Sequence, residues 1–252
     1  MSLFAGKTFR HGIHPRDHKE GTEDLPVERM PFVDRYVLPL SQHAGAPARP
    51  IVRPGDRVVR AQVVAEPGAF VSTTLHSPVT GRVSALGPRH HPNGKLVEAL
   101  EIEADPFDSQ SLPDGPAIPW PSLTQEEFVA GVQEAGLVGM GGAAFPSHVK
   151  YRISEGKRVR HLVVNGCECE PYLTTDHRLM VERPEAVLRG IEILATRLDV
   201  EETVIGVELN KAEAIEALEA AVKERQGVAG PAPVRVVPLK VKYPQGAEKM
   251  LI

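Results

Sequence analysis

Between Phe32 and Ile102 the apolar positions come in short runs bounded by turn signals. The runs are Arg35–Pro39, Arg49–Val52, Asp56–Val59, Gln62–Ala65, Gly81–Ala85 and Leu96–Ile102, broken by Pro54-Gly55, Pro67-Gly68 and Pro78-Val79-Thr80-Gly81. Strands this short and this closely spaced predict a small all-β unit. Past residue 121 the period lengthens. Thr124 with Glu127 three residues on is a capping box, and Phe128, Val132 and Ala135 follow at helical spacing until Gly136 offers an exit. Ser147–Ile153 predicts a second helix, and the apolar run His161–Asn165 a buried strand. Pro184–Arg197 carries Ala186, Val187, Ile191 and Leu194 on one helical face, with Pro at its start. Thr203–Val207 predicts a strand, Lys211–Glu224 an amphipathic helix and Val234–Leu239 a further strand. Strand, helix, strand, helix, strand is the pattern of a parallel sheet covered by helices. Ligands of such sheets sit beyond the carboxyl ends of the strands, and Asn165 is at one such end.

These textures divide the chain into an arm (1–31), a β domain (32–104), a Pro-rich linker (105–121) and an α/β domain (122–252). The linker is assigned on Pro106, Pro113, Pro116, Pro119 and Pro121, which cannot continue a helix or a central strand. In the arm, His11, His14 and His18 have the spacing of a helical metal face, but Gly12 and Pro15 oppose that helix. An extended arm lying on another domain is expected instead. No signal-peptide core and no run of about 20 apolar residues is present, so membrane association is expected through partners. Ala247–Ile252 reads as the first turns of a helix cut short, and the chain is therefore expected to be a fragment.

Composition narrows the field. A formal net charge of -4 over 252 residues gives no electrostatic case for nucleic acid. The two cysteines, Cys167 and Cys169, form no disulfide framework and cannot complete a zinc or iron–sulfur site, so no metal site is expected within this chain. They read as small buried thiols. Neither a P-loop nor a G-x-S-x-G nucleophile elbow occurs. What remains is Gly139-Met140-Gly141-Gly142-Ala143-Ala144-Phe145-Pro146, a run whose main-chain N–H groups could approach a bulky anionic ligand. Phe145 adds an aromatic face, Lys150 a cation and Asn165 an amide able to bond ribityl hydroxyls or a ring edge. Glu168 and Glu170 point to opposite sides of an extended segment, so one is expected to face a ligand and the other to anchor the loop. A flavin-sized cradle beside carboxylates points to hydride transfer, with no catalytic side chain because the cofactor carries the reactivity.

Two resemblances sharpen this reading. Val52-x-Pro54-Gly55-Asp56-x-Val58, with Gln62 and His76-Ser77-Pro78-Val79-Thr80-Gly81-Arg82-Val83, resembles the biotinyl/lipoyl-type barrel-sandwich fold. Its hairpin tip, Ala65–Ala69, lacks the modifiable lysine of the carrier versions, so a docking or structural module is expected. Gly139-x-Gly141-Gly142-Ala143-x-Phe145-Pro146-x-x-x-Lys150, then Asn165-x-x-Glu168-x-Glu170-Pro171 and Asp176, resembles the NADH- and FMN-binding subunit of respiratory complex I. Met140, Cys167 and Ala247 depart from that pattern. At these places, and at His11–Pro15, Pro39–Pro47 and Tyr243–Lys249, the chain more closely resembles the C-subunit family of Rnf (Rsx) ion-translocating electron-transport complexes.

That resemblance implies a Rossmann-like FMN/NADH-binding domain after the barrel-sandwich domain. FMN would be held by Gly139, Gly141, Gly142, Lys150, Asn165, Asp176, Tyr243 and Gly246, and NADH contacted by Phe145, Glu168 and Glu248. It implies NADH oxidation, with electrons passing to 4Fe–4S clusters in a region this chain does not contain. It also implies other Rnf subunits and, through the complex, ferredoxin as partners, and a peripheral place on the cytoplasmic side of the bacterial inner membrane. Soluble cobalamin reductases share these motifs and are the alternative within the fold, and a non-catalytic docking subunit is the alternative outside it.

Overall fold

The structure is a computed structural model and describes residues 8–113, 118–140, 143–225 and 232–252. Two compact units divide the chain: Met30–Gly156, and Met1–Arg29 together with Lys157–Ile252.

In the Met30–Gly156 unit, β1 (Arg35–Pro39), β7 (Leu96–Ala104), β6 (Gly81–His90) and β3 (Arg57–Val58) form one antiparallel sheet in the order β1-β7-β6-β3. β2 (Arg49–Pro50), β4 (Val63–Glu66) and β5 (Leu75–His76) form the other. Leu38, Val58, Val64, Val79, Val83, Leu100 and Ile102 bury their side chains between them. This is the small all-β unit that the turn pattern predicts, in the barrel-sandwich form that the resemblance implies. β6 runs five residues beyond the predicted end at Ala85, through Gly87 and Pro88. The reason is its edge. β3 pairs only with Arg82 and Gly81, so at Pro88 the other edge of β6 is open and its missing N–H removes no ladder bond. At Gly81 an added Cβ would lie 2.0 Å from Glu103 O, so that close strand crossing admits only glycine.

The unit continues past the proline-rich segment, whose first part lies along the barrel: Thr80 N donates to Gln110 Oε1 at 2.8 Å and Arg60 Nη1 to Gln110 O at 2.7 Å. It also holds α1 (Gln125–Glu134), where both halves of the predicted capping box are present. α1 stops at Gly136, with φ +71 and a Cβ position 2.7 Å from Thr74 O. α2 (Ser147–Tyr151) is shorter than predicted, ending two residues before Ile153. The compact units and the expected domains thus cut the chain at different places, 156/157 against the 105–121 segment.

In the second unit, β8 (His161–Gly166), β9 (Glu202–Glu208) and β10 (Val234–Leu239) form a parallel sheet in the order β10-β9-β8. α4 (Pro184–Leu198) and α5 (Ala212–Arg225) carry the predicted faces, and Leu188, Ile191, Ala214 and Leu218 pack on Ile205 and Val207. α3 (Thr175–Glu182) is unpredicted, and α6 (Glu248–Leu251) is a single turn. Among the described residues no helix is long and apolar enough to cross a membrane.

Candidate functional site

Sequence reasoning placed a ligand beyond the carboxyl ends of the parallel strands, and there the chain builds a connected set of polar contacts. β8 ends at Gly166, where a Cβ would sit 2.9 Å from Gly206 O. The loops after β8 and β10 then meet. Asn165 Nδ2 donates to Gly246 O at 2.8 Å, while Asn165 Oδ1 accepts from Cys167 N at 3.1 Å. Gly246 lies so close that a Cβ there would come within 2.8 Å of Cys167 O. Asn165 and Gly246, both expected at a flavin, are brought together, and the Asn165 amide bonds protein on both sides, joining the two loops.

Glu168 is 3% exposed and aims inward. Its carboxylate accepts from Thr175 Oγ1 at 3.2 Å, Asp176 N at 2.9 Å and His177 N at 3.3 Å. The two N–H groups are orphan donors of the first turn of α3, whose N-cap Thr174 makes no side-chain cap bond. This contact explains why α3 forms without a local sequence signal. Of the two glutamates, Glu168 is the anchor, and Glu170 is exposed at the rim. Asp176 is also at the surface. Partial withdrawal from water, reinforced by the Glu168 and Glu170 carboxylates, holds its carboxyl above the usual range.

Beneath this rim lies a buried ionic layer that sequence reasoning missed. Lys211 Nζ, 2% exposed, pairs with Glu208 Oε2 at 3.1 Å and donates to Glu168 O at 3.3 Å. Lys19, 4% exposed, donates to Glu168 O and Glu170 O at 3.0 Å each and also to Leu173 O. Burial, with Lys211 nearby, draws the Lys19 ammonium below the ordinary lysine range. No sequence signal marks these lysines, because their partners are mostly backbone carbonyls and Lys19 reaches 149 to 154 residues along the chain. Cys167 is buried, with Sγ 3.6 Å from Gly206 O, and burial pushes its thiol up to about 12. Cys169 is half-buried, and burial raises its thiol too.

Tyr243 is 37% exposed and its backbone pairs with Ile13. Glu248 opens α6 at the surface. A hollow of about 40 Å³ lies among Lys19, Glu168, Cys169, Glu208, Asn210 and Tyr243. A hollow of that size holds a few waters at most.

The remaining predicted residues belong to the Met30–Gly156 unit. Gly139 N donates to Phe145 O at 2.8 Å, and Val138 pairs with Pro146, immediately before α2. Phe145 is half-buried and Lys150 is on the exposed face of α2. Gly141 and Gly142 lie outside the described residues. Among the described residues no cluster of three His, Cys, Asp or Glu side chains is placed to hold a metal ion.

Comparison with known proteins agrees with both halves. Residues 7–106 match the RnfC barrel sandwich hybrid domain, and residues 132–252 the Nuo51 FMN-binding domain. The fold and these matches define a chain that joins a barrel-sandwich unit to an FMN-binding α/β unit.

Among its relatives, the C subunit of the proton-translocating ferredoxin:NAD(+) oxidoreductase complex of Clostridium ljungdahlii is 42% identical over 98% of this chain and 52% of its own length. The C subunit of the Na(+)-translocating ferredoxin:NAD(+) oxidoreductase complex of Acetobacterium woodii is 42% identical over 97% of this chain and 54% of its own length. The C subunit of the ion-translocating oxidoreductase complex of Pseudomonas aeruginosa is 40% identical over 97% of this chain and 31% of its length. The chain belongs to the RnfC family. It spans about half the length of the first two of these relatives.

Proposed function

We propose that this chain is the FMN- and NADH-binding part of an RnfC protein that feeds electrons between NADH and ferredoxin in an ion-translocating Rnf complex. The observation that carries the proposal is the junction of the post-β8 and post-β10 loops, tied by the 2.8 Å bond from Asn165 to Gly246, in a segment matching an FMN-binding family. The names of the relatives favour this reading over a soluble cobalamin reductase. Other Rnf subunits and ferredoxin are the proposed partners, 4Fe–4S clusters outside this chain the proposed acceptors, and the cytoplasmic face of the bacterial inner membrane the proposed location.

The donor set of the α/β unit fits the polyol and ring of FMN. Asp176 offers an acceptor for ribityl hydroxyls, Tyr243 an accessible aromatic ring, and Gly246 a close backbone position without a side chain of its own. When bound, FMN supplies the hydride-accepting centre and a route for single electrons. The protein's share is orientation: Asn165 ties the two loops together, Glu168 aims Asp176 by capping α3, and Glu248, exposed at the start of α6, is the proposed NADH contact. Glu168 thus acts through α3.

The test is an anaerobic visible spectrum of the whole chain with FMN added, before and after NADH. Bound-flavin bands that bleach on adding NADH are expected. A chain that leaves FMN free in solution overturns the reading and moves the docking subunit to first place.

A further inference from the structure

Residues 8–27 run along the rim of the α/β unit and touch both loops assigned to FMN above. At one end, Ile13 N donates to Tyr243 O at 3.0 Å and Tyr243 N to Ile13 O at 2.9 Å. Gly12 is required for this approach: with φ +92, its Cβ would meet Lys242 Cδ at 2.6 Å and Tyr243 O at 2.8 Å. At the other end, Tyr172 N donates to Asp17 O at 2.7 Å, and the His18 and Tyr172 rings stack at 4.9 Å and 7°. Both stacked residues have left-handed backbones, φ 50 and 69. Two such non-glycine residues in one contact mark a geometry over-determined by its surroundings.

Lys19 completes this end. An ammonium donating to three carbonyls of one loop, almost wholly out of water, gives that loop one arrangement, because each carbonyl would otherwise need another donor. It also adds a positive charge to a layer in which Lys211 meets the Glu208 carboxylate and the Glu168 carbonyl.

We infer that the arm is a clasp joining the post-β8 and post-β10 loops, and that Lys19 is a positioning residue for the FMN site. The inference rests on the FMN reading above and adds a part of the chain outside the FMN-binding family match at 132–252. Through Glu168, the post-β8 loop holds the first turn of α3 and hence Asp176, while Tyr243 and Gly246 sit on the post-β10 loop. With the arm docked, both sides of the rim are held from one strand-like segment.

The experiment compares the whole chain with Lys19→Met and with Leu218→Ala, a core truncation in the same unit at a fully buried site on α5 that bonds neither loop. FMN affinity is read from quenching of free-flavin fluorescence, and local opening from hydrogen exchange of residues 167–174 against 202–208. Lys19→Met is expected to weaken FMN at least tenfold and to speed exchange of 167–174 about tenfold, with β9 unchanged. Leu218→Ala is expected to keep FMN affinity within threefold while speeding exchange of β9. Wild-type FMN affinity in Lys19→Met, or an equal loss in Leu218→Ala, overturns the positioning role. If the unaltered chain binds no FMN, the functional reading fails and the positioning role with it, and the exchange data then report only whether the clasp holds the loop.

Discussion

Glu168 is where the structure most changes what a mutation should do. A glutamate in an NADH site would alter substrate binding when changed; a glutamate capping α3 should loosen that helix. Glu168→Gln keeps an acceptor and removes the charge, losing about 1 kcal/mol for a carboxylate at a partly buried helix N-terminus. Glu168→Ala removes the cap as well, about another 1–2 kcal/mol, and leaves Asp176 N and His177 N without their 2.9 and 3.3 Å acceptors. Because the expected change is confined to one helix of one unit, a local probe resolves it better than a global melt. Hydrogen exchange of residues 175–182 reads the local free energy directly. At about 1.4 kcal/mol per factor of ten, exchange there should quicken about fivefold for Gln and about thirty- to hundredfold for Ala. FMN affinity should fall in the same order, because Asp176 rides on that turn. Unchanged exchange together with a raised KM for NADH would refute the capping argument and return Glu168 to the ligand.

Gly246→Ala should weaken FMN binding at least tenfold by fluorescence titration, because the added Cβ, 2.8 Å from Cys167 O, must part the two loops. In the other unit, Gly136→Ala should lower stability by about 1–3 kcal/mol in urea unfolding, since its φ of +71 and the 2.7 Å approach to Thr74 O both oppose a side chain. The Cys167 thiol should escape a thiol reagent at pH 8 until urea is added. Its folded value, about 12, lies above its ordinary 9.0, so the unfolded chain ionises first and the thiol's contribution to stability falls as pH rises through that interval. Cys167→Ala should therefore flatten the loss of stability between pH 9 and 11 in urea melts.

The elements legible in sequence were those whose signals are local. The capping box at Thr124 and Glu127, the Pro184 helix start and the β9 and β10 runs all appear where periodicity put them. What was not legible depends on distant partners. α3 begins with Thr174 making no cap bond, and its first turn is satisfied by Glu168, which no helix pattern could include. β5, two residues long, exists because β4 pairs with it, and β6 runs on past Pro88 because one of its edges is open.

The same distinction separates the residues of the site. Motif reading found Asn165, Glu168, Asp176, Tyr243 and Gly246, and the structure gathers them at the carboxyl ends of the parallel strands. Two of them, Asn165 and Glu168, also hold the fold together, through an amide and a carboxylate bonded to the surrounding loops and helix. The groups doing that holding include Lys19 and Lys211, whose acceptors are largely carbonyl oxygens. Every residue offers a carbonyl, so no side-chain pattern records that such a lysine is needed. A buried lysine on carbonyls, found only in three dimensions, is thus the feature most able to show that an N-terminal arm belongs to a site nearly 150 residues away.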